Sequence, residues 1–190
     1  MGIATFWVRW IRATFLGWVL GVPIIILLAL LGEMVGIGGA QVLVGAGMGA
    51  GVGLMQLPLI GAFRPRRAPW FWSSTIGLSL PFLVGDVGKL LGRELPYSLY
   101  VCVAVGGLIV GVWQAYLLRA RFRALHWWVV SSLIGWSGAS AAAALADQLP
   151  KQGAISGVLG LLIYLFVLIA GGLVLGLCTG AALIRLPPRR

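Results

Sequence analysis

Two glutamines stand inside apolar runs. Gln56 lies in "GLMQLPLIGAFRPRRAPWFW" (53–72) and Gln114 in "GVWQAYLLRARFRALHWW" (111–128), each a few residues ahead of an arginine cluster. A carboxamide in that setting can bond a neighbouring helix, line a polar path, or ligate the magnesium of a chlorophyll-type pigment through its oxygen. Ser73, Ser74, Ser131 and Ser132 offer hydroxyl partners at comparable depth, and bonding between helices is the commonest use of such groups. His126 is the only histidine. A neutral imidazole is a common metal ligand and could be axial to a pigment. It stands beside Trp127 and Trp128 at the edge of an apolar run, where an interfacial residue is the plainer reading.

The remaining reactive residues form no constellation. Glu33, Asp86, Glu94 and Asp147 all read as helix-end or loop residues, and Asp86 with Lys89 three positions on reads as a surface pair. A proton or ion relay wants acids deep in the membrane. Cys102 and Cys178 lie in apolar runs without CxxC or Cys/His spacing, as buried free thiols do. One histidine and four scattered acids supply no nucleophile–base–acid set. No phosphate-binding or dinucleotide fingerprint appears. The expectation is a protein that is not an enzyme and holds no metal.

The elements that carry these residues follow from composition. Of the 190 residues 61% are hydrophobic and 9% charged, with a mean hydropathy of +1.04. Soluble domains carry about 25% charged residues, so this chain cannot cover itself with a polar surface in water. Several runs reach the roughly 20 apolar residues that cross a bilayer. Six helices are predicted, at about 11–31, 40–60, 70–87, 97–118, 127–146 and 155–184, in one all-α transmembrane domain spanning 1–190. The apolar stretch after the N-terminal arginines is long and no A-x-A site follows, so it reads as a retained helix rather than a signal peptide. The last segment is overlong: about 31 residues make a rod of about 46 Å against a hydrocarbon core of about 30 Å. It must tilt, kink at Ala170–Gly172, or protrude into a partner.

Charge then orients the bundle. Arg9, Arg12, Arg64, Arg66, Arg67, Arg119, Arg121, Arg123, Arg185, Arg189 and Arg190, 11 of the 14 basic residues, fall on one face. Lys89, Arg93, Lys151 and all four acids fall on the other. This bias predicts both termini in the cytoplasm. The net charge of +10 then answers to topology and anionic headgroups, not nucleic acid. Trp7, Trp10, Trp70, Trp72, Trp127 and Trp128 read as an aromatic belt at the cytoplasmic edge, with Tyr97 and Tyr100 opposite.

The chain repeats itself. At a shift of 58, Gly49, Val52, Gly53, Gln56, Leu59, Ala62, Trp70, Ser73, Ser74, Ile76, Gly77 and Ser79 find the same residue type again, from Gly107 to Ser137. Each unit, 40–87 and 97–146, is a hairpin: a glycine-striped helix, a basic loop, then a helix opening with Trp and Ser-Ser. A half unit follows at 171–183, with Thr179 in the glutamine position, and the first helix, with Trp18, is its candidate second half. Helices 155–184 and 11–31 would then make a third hairpin split by the termini, giving a pseudo-threefold ring. Glycines four apart let helix backbones approach closely in lipid.

The G-x3-G-x2-Q-x4-R element of "GGLIVGVWQAYLLR" (106–119), with Trp128, Ser131 and Gly135 following, resembles a broad group of uncharacterised multi-spanning bacterial membrane proteins associated with photosynthetic bacteria. The earlier copy, "GAGVGLMQLPLIG" (49–61), departs from it in having Gly61 at the arginine position. The resemblance covers about residues 40–146 and implies an architecture and a bacterial inner or photosynthetic membrane, with no activity. Two functions are expected. One is an accessory subunit of a larger bioenergetic, photosynthetic complex, packed against other integral membrane subunits and holding lipid, carotenoid or a chlorophyll-type pigment, with His126, Gln56 or Gln114 as pigment ligands. Arg64, Arg66, Arg67, Arg119, Arg121 and Arg123 would dock partners or lipid headgroups. The other is a small-solute channel or transporter with Gln56, Gln114 and Thr179 around a central path.

Overall fold

The computed structural model describes residues 2–61, 67–93, 99–151 and 157–188. Arg64, Arg66, Arg189, Arg190, Glu94 and Tyr97 lie outside the described residues. Among those described, six helices form: α1 (Ile3–Met34), α2 (Val42–Ile60), α3 (Arg67–Leu90), α4 (Leu99–Leu118), α5 (His126–Lys151) and α6 (Gly157–Arg185). Five of them, all but α3, are long and apolar enough to cross a membrane. The chain is an all-helical membrane protein. The exception, α3, has the length at 24 residues, but Ser73, Ser74, Thr75, Ser79, Asp86 and Lys89 dilute its hydropathy. Its hydroxyls bond back to its own carbonyls: Ser73 Oγ donates to Trp70 O at 2.7 Å, Thr75 Oγ1 to Phe71 O at 3.1 Å and Ser79 Oγ to Thr75 O at 2.6 Å. With their hydroxyls satisfied in this way, these residues let α3 pack between α2 and α4 like its neighbours.

Each helix packs on the helices before and after it in the chain, and α6 returns against α1. Six helices thus close a ring. Glycine stripes set the close approaches. Gly45 lies on Leu78 and Ser79 of α3, and Gly107 on Trp136 of α5. Gly172 lies on Trp18 of α1, and Gly17 of α1 on Gly51 and Val52 of α2. A Cβ added to Gly17 would sit 2.6 Å from Val52 Cα, so no larger residue fits without moving the backbone.

Helix ends are finished by recognisable devices. At the end of α1, Ile37 N–H bonds Gly32 O at 2.9 Å and Gly36 N–H bonds Glu33 O at 3.2 Å, with Gly36 at φ +79°. At the end of α3, Arg93 N–H bonds Gly88 O at 2.9 Å and Gly92 N–H bonds Lys89 O at 3.0 Å, with Gly92 at φ +69°. Both are Schellman caps, which need the left-handed conformation that glycine adopts freely. The N-terminus of α2 has no capping side chain of its own. Asp86 of α3 supplies it: its carboxylate accepts from Gln41 N–H at 3.1 Å and Val42 N–H at 2.8 Å. The surface pair read for Asp86 is therefore replaced by a cap between helices, favoured by the two orphan donors and the positive helix end.

Two sequence expectations change. Helix α1 begins at Ile3, not near 11, so Arg9 and Arg12 lie inside it on its exposed side while Phe6 and Trp10 are buried. The aromatic belt divides: Trp72 and Trp127 are exposed, but Trp10, Trp70 and Trp128 are among the most deeply buried side chains.

Candidate functional site on the bundle axis

Those three tryptophans meet one another. Ring centroids lie 6.2 Å apart for Trp10–Trp70, 6.0 Å for Trp10–Trp128 and 5.9 Å for Trp70–Trp128. They come from α1, α3 and α5, the second helices of the three hairpins. One turn on, the same helices place Thr14, Ser74 and Ser132, and two turns on Trp18, Leu78 and Trp136. This spacing of four is helical and points all three rows inward. The repeat therefore enters α1 at Trp10, not at Trp18, a match hidden when α1 is started late.

The first helices contribute Gln56, Gln114 and Thr179. Gln56 is a hub: its Oε1 accepts from Trp70 Nε1–H at 3.1 Å and its Nε2 donates to Thr14 Oγ1 at 3.0 Å. Gln114 Nε2 donates to Ser74 Oγ at 3.0 Å. Thr179 Oγ1 accepts from Trp10 Nε1–H at 3.0 Å and donates to Leu175 O at 2.7 Å. Ser132 Oγ donates to Gly107 O at 2.9 Å. The third indole, Trp128 Nε1–H, is buried without a partner. Gln56, Gln114, Thr179, Ser74 and Ser132 share one cavity with Trp128. The cavity leaves about 10 Å³ for the centre of a water molecule, the lower limit for one water. Ser73 is buried outside it, and Ser131 is half-buried.

This layer has no room for a macrocycle, and the Oε1 of Gln56 already accepts a hydrogen bond. The reading of Gln56 or Gln114 as a pigment ligand is therefore set aside on space. His126 is exposed and paired with Trp127 at a centroid distance of 5.2 Å, and it is not among the residues lining this cavity. Among the described residues no three His, Cys, Asp or Glu side chains gather as a metal site would require.

The axis is closed on the arginine side. Phe6, Trp10, Ile60, Trp70, Leu118, Phe122, Trp128, Leu183 and Leu186 form one buried apolar cluster. The C-terminal tail seals it. Phe122 pairs with Pro188 in an isolated bridge, and Arg123 N–H bonds Pro187 O at 2.9 Å. Outside this plug Arg9, Arg12, Arg67, Arg119, Arg121 and Arg123 are exposed, and the Arg119 guanidinium lies 3.6 Å from the Tyr116 ring centroid.

On the other side of the polar layer the axis widens. A chamber of about 190 Å³ is lined from all six helices, including Val22, Met48, Phe82, Val103, Trp136 and Leu168. Its lining is apolar but for Ser140, whose hydroxyl donates to Ser137 O at 2.9 Å. Trp18 also lines it, with its indole N–H bonded to Leu168 O at 2.9 Å. Sequence reasoning missed Thr14, the tryptophan triad and this chamber. The signal was the spacing Trp10, Thr14, Trp18, which repeats as Trp70, Ser74, Leu78 and Trp128, Ser132, Trp136.

No family model matches the chain, and neither a curated protein nor a solved structure matches it.

Proposed function

We propose that the protein is a non-catalytic integral-membrane subunit that packs at the edge of a larger bioenergetic membrane complex and holds lipid hydrocarbon. The observation that carries this reading is the filled axis. The buried polar side chains bond one another or backbone carbonyls, the tryptophan triad and the apolar plug close one end, and the chamber beyond is apolar. A protein built this way acts through its outer faces and its apolar space. The membrane would be a bacterial inner or photosynthetic one, with both termini and the arginine loops in the cytoplasm, facing anionic headgroups or an acidic partner.

Extraction from the native membrane in mild detergent tests it. The expected result is a large particle with defined co-migrating chains. A particle no bigger than a small homo-oligomer would overturn the subunit reading. A transport reading has one observation in its favour: Gln56, Gln114 and Thr179 do converge on a single axial cavity. It requires the triad to part, and swapping both glutamines for leucine would then abolish flux.

A further inference from the structure

We infer that the axial chamber is a binding site for a single hydrocarbon chain of a phospholipid drawn from the surrounding bilayer. This rests on the proposed lipid-holding role and gives it a place. The chamber offers water little to bond, since the Ser140 hydroxyl and the Trp18 indole have already given their donors to backbone carbonyls. A smaller apolar cavity of about 150 Å³ stays dry and takes up benzene. An empty chamber of about 190 Å³ would leave its lining without contacts on one side, so an apolar guest is favoured.

At one seam the chamber and an outer groove share the same two helices, α3 and α4. A second apolar groove, of about 240 Å³, lies against α3 and α4 alone, lined by Leu80, Pro81, Val84, Val101, Cys102 and Val105 among others. Leu78 and Phe82 of the same stretch of α3, and Val103 of α4, line the chamber. The two spaces thus stand back to back across α3 and α4. Nearer the arginine end these helices are clamped: a Cβ on Gly106 would lie 3.1 Å from Leu78 Cα, and one on Gly77 would lie 3.2 Å from Val110 N. Toward the other end the outer groove lies against the two helices. Nothing lies within 4 Å of a Cβ at Gly85, and Pro81 removes a backbone donor from α3 one turn past Gly77. Leu80, Val84, Val101 and Val105 are exposed on the groove, in the span where the bilayer supplies hydrocarbon. Lys89 and Arg93, exposed at the end of α3, supply positive charge for a phosphate headgroup.

The test uses the intact chain in vesicles containing phosphatidylglycerol with a photoactivatable diazirine in its acyl chain. After illumination, mass spectrometry locates the adducts. Adducts on Met48, Phe82 or Val103 are expected; adducts confined to outward residues such as Leu27, Val112 and Ile134 would overturn the inference. Filling the chamber gives an independent readout. A V103F/A143L variant should retain about one phospholipid fewer per chain than the wild type after purification, with an equal or higher melting temperature. Unchanged retention in a folded variant would overturn it. A large native particle without chamber adducts leaves the subunit reading standing, and chamber adducts in a small particle leave the lipid site standing alone.

Discussion

Trp70 and Trp128 occupy matching places and have different hydrogen bonds, so they make a controlled pair. Trp70 Nε1–H is satisfied by Gln56, while Trp128 Nε1–H has no partner. Replacing Trp70 by phenylalanine leaves Gln56 with a buried acceptor unpaired; replacing Trp128 removes a donor already unpaired. A lost hydrogen bond with an orphaned partner costs about 1–3 kcal/mol in water-soluble proteins, and interhelical bonds in membranes average about 0.6 kcal/mol. W70F should therefore be less stable than W128F by about 1 kcal/mol, read by reversible unfolding in detergent or bicelles. Equal losses would mean that the Trp70–Gln56 bond adds nothing. A double-mutant cycle between Gln56 and Thr14 should likewise show coupling of about 0.6 kcal/mol or more, since their bond is buried and joins α1 to α2.

Between helices, small residues and borrowed caps decide the fit. A Cβ on Gly17 would meet the Val52 and Gly51 backbones, which cannot rotate away, so G17A should destabilise the bundle by about 1–3 kcal/mol. G85A, with open space around it, should be neutral or gain up to about 1 kcal/mol from helix propensity. Thermal unfolding of the pair separates packing from propensity. D86A should lower stability by about 1 kcal/mol by uncapping α2, although Asp86 lies on α3. Much of this level was legible in the sequence. Repeated glycines, glutamines and serines at a constant shift mark faces that must match, and the helices appear where apolar length demands them. The Asp86 cap was not legible, because its donors lie 44 and 45 residues away and nothing local points to them. Nor was the inward turn of Trp10, Trp70 and Trp128. Tryptophan suits both a membrane edge and an axial core, and only the four-residue spacing shared with α1 separates the two. That spacing is seen once α1 is extended to Ile3.

At the scale of the whole molecule, closure of α6 on α1 turns a chain of hairpins into a ring, and the ring makes an axis. That axis is plugged at the arginine end, polar but nearly filled in the middle and apolar beyond. Charge clustering and hydropathy reveal the membrane and the sidedness bias, but not what fills the centre, because axial contents depend on how three hairpins meet. An axis closed in this way does not conduct. Stopped-flow light scattering on proteoliposomes, challenged with water and with a small neutral solute such as glycerol, measures it directly. We expect permeabilities equal to those of protein-free vesicles, unchanged in a Q56L/Q114L variant. Protein-dependent permeation that disappears in that variant would contradict the sealed axis and establish the transport reading in its place.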